Sequence, residues 1–266
     1  MSEPLAFIPT RAAALARLEE FLPAAGSYAA ERNYVRPGHD NVSRISPWVQ
    51  KRLLLESEIV AAARAQWSFP AVEKFVQEVY WRTYWKGWLE QRPAAWTRWV
   101  EAVPRLRASL TAEQGSALAA ALAGRTGIAG FDDWARELVA TGYLHNHARM
   151  WFASIWIFTL GLPWRLGADS FYRHLLDGDA ASNTLGWRWA AGACWCARCP
   201  ATRCSARSSR APQTLLATSR PRSRTSCAWS QRQTAGPWRK RCAPSCAACC
   251  RSLLRPRVWA VGCTPG

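Results

Sequence analysis

The first 193 residues contain no cysteine, and the last 73 contain no aspartate, glutamate or histidine. Absent cysteine removes a disulfide framework and a thiolate metal module from the body of the chain. Long hydrophobic runs are missing too. The longest, Trp151 to Leu162, is interrupted by Gly161 and stopped by Pro163, and it falls short of the ~20 apolar residues of a membrane span. Met1-Ser2-Glu3-Pro4 lacks the basic and apolar regions of a secretory signal. The expectation is a soluble, cytoplasmic protein with no membrane partner. No stretch alternates as a strand, so a sheet is not expected either.

Charge is distributed unevenly. All 18 acidic residues lie at or before Asp179, and 21 of the 35 Lys and Arg precede residue 194. The body therefore carries only +3 of the formal +17, and the remaining +14 belongs to residues 194–266. The global charge is thus weak evidence for nucleic acid binding by the body.

What is present is helical periodicity. Thr10 caps a segment with Leu15, Leu18, Phe21 and Leu22 at helical spacing, and Ser46-Pro47 reads as a cap followed by a first-turn proline. Ser68 opens a long helix from Pro70 to Leu89, and Thr111 with Gln114 forms a capping-box pattern. Residues 131–141, 144–160, 170–176 and 181–190 read as further helices. This is an all-α body of roughly eight to ten helices with short connections. In the long helix, Val72, Val76, Val79, Tyr80 and Thr83 follow the core spacing, while Glu78, Trp81, Arg82 and Trp85 share a neighbouring face. An acid, an arginine and two indoles on one stripe suit a cleft wall, with Arg for a phosphate and Trp for stacking on a base; the alternative is a solvated face.

Residues 194–266 have a different composition, rich in Cys, Ala, Arg, Ser, Pro and Trp. GC-rich DNA read out of frame yields this mixture, and the segment is expected to be out-of-frame or disordered. A competing zinc module would use Cys196/Cys199 and Cys246/Cys249. The 46 residues between these pairs far exceed the about 15–20 of a zinc ribbon. A disulfide scaffold is a further alternative.

Four blocks carry the chemistry. They are Tyr28 with Arg32-Asn33 and Val42-Ser43-Arg44-Ile45-Ser46-Pro47; Gln77-Glu78-Val79-Tyr80-Trp81-Arg82; Gly142-Tyr143-Leu144-His145-Asn146-His147-Ala148-Arg149-Met150; and Asp177-Gly178-Asp179 with Asn183 and Gly186-Trp187-Arg188-Trp189. The last two set polar and charged groups among Trp, Phe and Ile, where they need partners. In this order and spacing the blocks resemble the FAD-binding domain of the photolyase/cryptochrome family over residues 28–192.

The resemblance implies a helical domain, residues 1–193, holding a bent FAD, and a separate segment 194–266. It implies that Tyr28, Ser43, Arg44, Ile45 and Ser46 wrap the phosphates and ribitol, with Val42 standing where the family often has a threonine. Arg82 would lie on the pyrophosphate side, and Phe75 would keep an aromatic wall. Asn146 would face the flavin N5, Arg149 and Asp177 would pair over the ring, Asp179 would meet N3 and O4, and Asn183 would add a contact. Trp187 and Trp164, 23 residues apart, resemble two members of an electron-transfer chain, with Trp96 and Trp99 candidates for an outer member. Core packing is the alternative for each Trp. Glu78, Trp81 and Trp189 match positions lining a cavity for a flipped pyrimidine dimer, while His145 and His147 read as structural. Only 42 residues precede Ser43, so no antenna-chromophore domain is expected. No metal is expected, and a monomer is.

The implied function is a deoxyribodipyrimidine photolyase, a carbon-carbon lyase that repairs cyclobutane pyrimidine dimers in damaged DNA under blue light. The alternatives are a cryptochrome-like light or redox sensor, a product with impaired flavin binding because its C-terminal pattern is incomplete, and a helical nucleic acid-binding protein acting through its basic tail.

Overall fold

A computed structural model describes residues 7–192, and every regular element among them is helical. The expectations for residues 194–266 lie outside the described residues. In chain order the helices are α1 (Arg11–Phe21), α2 (Tyr28–Glu31), α3 (Ser46–Gln50), α4 (Glu56–Gln66), α5 (Phe69–Glu90), α6 (Ala94–Ala108), α7 (Ala112–Leu122), α8 (Ala129–Thr141), α9 (Asn146–Ser154), α10 (Trp164–His174) and α11 (Ala180–Ala190). Short 3-10 turns at Leu22–Ser27 and Pro37–His39 and a π-turn at Ile155–Thr159 complete the set. Among the described residues no helix is long and apolar enough to cross a membrane.

Local chemistry sets most ends. The Thr10 hydroxyl accepts from the Ala13 amide, and Thr111 and Gln114 form the reciprocal capping box. α5 starts at Phe69 with Pro70 in its first turn, where a missing N–H is harmless. Gly142 ends α8 in the left-handed region (φ 66°), which glycine adopts without strain. Its carbonyl accepts from Leu176 N–H at 2.8 Å. A Cβ there would stand 2.6 Å from Leu176 Cγ, so this junction holds the loop before α9 against the loop before α11.

Several boundaries differ from those read in the sequence. Ser46 is not a cap. The cap position falls on Ile45, with no side-chain bond, and the Ser46 hydroxyl instead favours the charged form of Asp177. The segment expected as one helix over 144–160 begins at Asn146, because Leu144 and His145 are still extended, and it closes through the π-turn, where Leu160 N–H reaches back to Ile155 O at 2.9 Å. The helix expected from Ser170 starts at Trp164. Gly167 resembles a breaker, yet it is there to admit a neighbouring ring. On α5, Tyr80 is exposed and Thr83 faces solvent, so the buried stripe is Val72, Phe75 and Val76, rejoined by Trp88. α4 and α6 were not anticipated. α6 buries Ala95, Trp99 and Val103 at four-residue spacing and tolerates Pro104 inside it.

Two apolar cores result. One gathers α1, α3, α4 and the first half of α5 around Leu18, Phe21, Ile59 and Phe75. The other gathers α6 to α11 around Phe131, Phe152, Trp156, Phe171 and Trp187. α5 belongs to the first core through its N-terminal half and packs on α11 further along.

Trp187 shows the tightness of the second core. Its ring is 3% exposed and meets Phe171 edge-on at 5.0 Å, Trp156 at 6.0 Å and Phe152 at 6.3 Å. A Cβ on Gly167 would lie 2.3 Å from Trp187 Cη2 and 3.0 Å from Trp156 Cε2. Gly167→Ala gains about 1 kcal/mol of helix propensity but overpacks a rigid ring cluster at about 1–3 kcal/mol or more. A net loss is expected, measured as a lower urea midpoint with unchanged slope.

Candidate functional site

The seam between the two cores is polar. Asp177, 4% exposed, lies in the loop between α10 and α11. Arg149 of α9 meets it through both terminal nitrogens, at 3.1 Å from each carboxylate oxygen. Arg149 Nε also donates to Leu144 O at 2.7 Å, and its guanidinium stands 5.6 Å from the Tyr143 ring centroid. Arg82 of α5 approaches from the other side, 3.6 Å from the Asp177 carboxylate and 3.2 Å from its carbonyl oxygen. Burial alone raises the pKa of a carboxylic acid, but Arg149, Arg82 and the Ser46 hydroxyl together hold the Asp177 carboxyl below its ordinary range.

Arg82 reaches further, to Asp179 at 2.6 Å and to Gln50 Oε1 at 3.0 Å. Gln50 in turn donates to Gly178 O at 3.2 Å. Asp179 is also the cap of α11, accepting from the Ala181 and Ser182 amides and the Ser182 hydroxyl. With Arg82, those bonds occupy the four acceptor sites of a carboxylate. Asp179 therefore serves the site by orienting Arg82 and starting α11. Asn183, one turn into α11, donates to Ala168 O at 2.8 Å and ties that helix to α10.

The loop of residues 42–46 borders the same region. Its backbone is held by Arg17, which donates to Ser43 O at 2.9 Å and Val42 O at 3.0 Å. Arg44 adopts φ 56°, and its Nη1 donates to Gly38 O at 3.0 Å. Ile45 is buried. Tyr28 rests edge-on against Phe75 at 5.3 Å and Phe21 at 6.1 Å. Burial, with Glu78 nearby, pushes the Tyr28 hydroxyl up to about 12, so it keeps its proton. Phe75 is only 2% exposed and lies in the first core, behind Tyr28.

On the outer face of α5, Glu78 pairs with Arg32 at 2.8 Å and Lys74 at 3.0 Å. Trp81, 44% exposed, stacks on Trp85 at 5.5 Å and meets Tyr84 edge-on. Trp189 is exposed on α11, and Asn146 is exposed as the first residue of α9. His147 has its basicity lowered by burial and by Arg32, which sets it close to the Arg32–Glu78 pair. Trp164, first residue of α10, lies under the Arg165 guanidinium at 5.1 Å. An indole neighbour of Trp187 is Trp156, whose Nε1 donates to Pro163 O at 3.1 Å just before Trp164. Trp96 and Trp99 stack at 4.9 Å. Trp156 and Gln50 were not singled out in the sequence. The spacing of Trp156 from Phe152 could have marked it as core, whereas nothing local distinguishes Gln50.

A family model described as the FAD binding domain of DNA photolyase matches residues 75–213. The chain belongs to this family. The deoxyribodipyrimidine photo-lyase of Thermus thermophilus is 36% identical over 191 residues, covering 69% of this chain and 43% of that protein. A class III photolyase from Agrobacterium tumefaciens superposes with a TM-score of 0.59 at 27% identity, over 70% of this chain and 38% of that one. A Synechocystis cryptochrome superposes with a TM-score of 0.62 at 27% identity, over 71% and 40%. The chain thus spans less than half the length of these relatives. FAD is the cofactor of this domain.

The seam fits such a cofactor. Arg44 Nε, His39 Nδ1 and His145 Nε2 are buried polar atoms without a protein partner. His39 and His145 stand 5.6 Å apart, and His39 also bonds Glu137 at 2.6 Å. A long ligand rich in oxygen and ring nitrogen supplies partners that an apolar neighbour cannot.

Two outcomes follow for stability. Asp177→Asn removes the shared partner of Arg82 and Arg149, an expected loss of about 3 kcal/mol at pH 7. The Asp177 contribution is present above the unfolded carboxyl value near 3.8 and vanishes as pH falls through the lower folded value. The wild-type advantage in urea midpoint therefore shrinks only below about pH 4.

His145 loses stability in the same direction but in a higher pH window. It is fully buried and its Nδ1 accepts from His147 N–H at 3.1 Å, capping α9. Burial, then His39, His147 and Arg149, pushes it down to about 4. The unfolded chain binds this proton first, so stability is complete above about pH 6.5 and falls by about 3 kcal/mol toward pH 4. His145→Asn keeps a capping oxygen and is expected to flatten the urea midpoint between pH 7 and 4.5.

Proposed function

We propose that this FAD-binding domain acts as a deoxyribodipyrimidine photolyase, directing light-driven electron transfer to cyclobutane pyrimidine dimers in DNA. The observation that carries the reading is the juxtaposition at the seam. Arg82, paired with the buried Asp177 that also holds Arg149, stands on α5 beside Glu78 and the exposed Trp81, and α5 packs on α11, which carries the exposed Trp189. The Thermus relative's name supports the substrate class.

On this reading Tyr28, Ser43, Arg44, Ile45 and Ser46 line the cofactor, with Phe75 supporting Tyr28 from behind. When bound, FAD absorbs blue light and exchanges single electrons. Arg82 and Arg149 offset negative charge beside it, and Asp177 keeps both guanidiniums oriented. Asn146, an exposed amide that can donate or accept, meets the flavin edge; Asp179 and Asn183 hold α11 in place. Trp81 and Trp189 offer flat surfaces to unstacked bases. Glu78, aimed by its pairs with Arg32 and Lys74, accepts a hydrogen bond from the damaged base. Trp187 and Trp164 relay electrons inward, with Trp156 packed against Trp187. The protein works as a cytoplasmic monomer that takes damaged DNA as its partner.

The test is repair of dimer-containing oligonucleotides by the flavin-loaded protein under blue light against a dark control. Light-dependent repair is expected. Glu78→Gln keeps the size of the side chain and is expected to lower repair about tenfold or more without changing the flavin content read from its absorbance. A yellow, photoreducible protein with no repair would favour a cryptochrome-like sensor, in line with the Synechocystis neighbour.

A further inference from the structure

Two imidazoles lie close together in the interior, and each has one ring nitrogen committed and one left over. His39, in the turn before Arg44, is 5% exposed, and its Nε2 bonds the Glu137 carboxyl group of α8 at 2.6 Å. His145, ahead of α9, is fully buried, and its Nδ1 accepts from His147 N–H at 3.1 Å. The ring centroids are 5.6 Å apart and the planes are inclined by 35°. Among the described residues, His39 Nδ1 and His145 Nε2 find no hydrogen-bond partner. Leu144, whose carbonyl holds Arg149 Nε at 2.7 Å, immediately precedes His145, which sets the pair beside the seam.

The committed nitrogens decide what the other two can do. A ring nitrogen that accepts from a backbone amide carries no proton, so neutral His145 has its proton on Nε2, a buried donor. Burial pushes His145 down to about 4, which keeps it neutral at pH 8. A ring nitrogen facing a carboxylate is the one that donates, so neutral His39 keeps a lone pair on Nδ1, a buried acceptor. Leaving such groups unmatched is costly. A carbonyl or phosphate oxygen answers only His145, and an N–H answers only His39. A hydroxyl answers both, because it donates and accepts at one oxygen. The turn that presents His39 is fixed from several sides. Its φ is 53°, in the left-handed region that side chains rarely adopt. Arg36 O accepts the His39 N–H at 3.1 Å, and Arg44 Nη1 bonds Gly38 O at 3.0 Å. Backbone held in this way is common at ligand sites.

We propose that His39 and His145 form a recognition site for a sugar or polyol hydroxyl of the bound cofactor, with Glu137 as the positioning residue that sets the His39 tautomer. FAD carries such hydroxyls on its ribityl chain and on its adenosine ribose. The chemistry is shared and the two sources are separable by experiment. The inference rests on FAD as the cofactor of this domain and not on what the domain does to DNA.

The experiment titrates the purified chain, after removal of flavin, in the dark at pH 8 with matched probes. Riboflavin against lumiflavin tests the ribityl hydroxyls, and adenosine diphosphate against dideoxyadenosine diphosphate tests the ribose hydroxyls. Wild type is expected to prefer the hydroxylated member of one pair by about tenfold or more. His145→Asn keeps a capping oxygen for α9 but lacks the Nε2 donor, and His39→Phe keeps a flat ring without nitrogens. Each is expected to reduce that preference about tenfold, while affinity for the hydroxyl-free probe stays near wild type. Glu137→Gln offers an amide donor to His39 Nε2, moves the proton to Nδ1, and is expected to reduce the preference with little change in urea midpoint. His174→Asn alters a histidine of α10 bonded to Ser170 O and is expected to leave the preference unchanged. Absence of a preference in both pairs, or an undiminished preference in His145→Asn, would overturn the site. Repair is measured separately under light. The preference without repair counts against the photolyase reading alone, and repair without the preference counts against this site alone.

Discussion

A buried carboxylate between two guanidiniums holds this domain together where its two cores meet. Asp177 pairs with Arg149 on α9 and Arg82 on α5, and the Ser46 hydroxyl of α3 joins it. Taking such charges out of water is expensive, and their attraction repays it only when geometry and extra hydrogen bonds are good. Here the extra bonds are present: Leu144 O for Arg149, and Gln50 and Asp179 for Arg82. Each partner stems from a different helix or loop, so the network specifies how those elements sit, beyond whatever net stability it contributes.

The aromatic core answers to a different constraint. Trp187, Trp156, Phe152 and Phe171 interlock at ring distances of 5.0–6.3 Å, and Gly167 opens α10 just enough to admit the Trp187 ring. The same packing that stabilises the core brings indoles together, so core packing is compatible with the electron relay proposed above. Their coexistence explains why a single tryptophan in the sequence reads equally well as core or as relay.

Much of the site was legible because its residues fall in short blocks. Asn146 and Arg149 lie three apart on one helix, Asp177 and Asp179 flank a glycine, and Glu78, Trp81 and Arg82 share one face of α5. What stayed hidden depended on contacts distant in sequence. Gln50 enters the network through Arg82 and Gly178, 32 and 128 residues away, and no local pattern marks it. Ser46 read as a cap because Ser-Pro is a common helix start, yet its hydroxyl serves Asp177. α10 was read over 170–176 and begins earlier, at Trp164; the room that Gly167 leaves for Trp187 is visible only after folding.

By itself, the amino-acid sequence determined that this is an all-helical domain, since period and capping are encoded within a few residues of each other. It also determined the family, because the ordered blocks are chemically unusual for a core. The tertiary structure decided which charges neutralise each other. Asp179 spends its acceptors on α11 and Arg82, and Glu78 is held by Arg32 and Lys74. Ion pairing acts over a few ångströms between side chains tens of residues apart, so packing, and not local spacing, selects the partners.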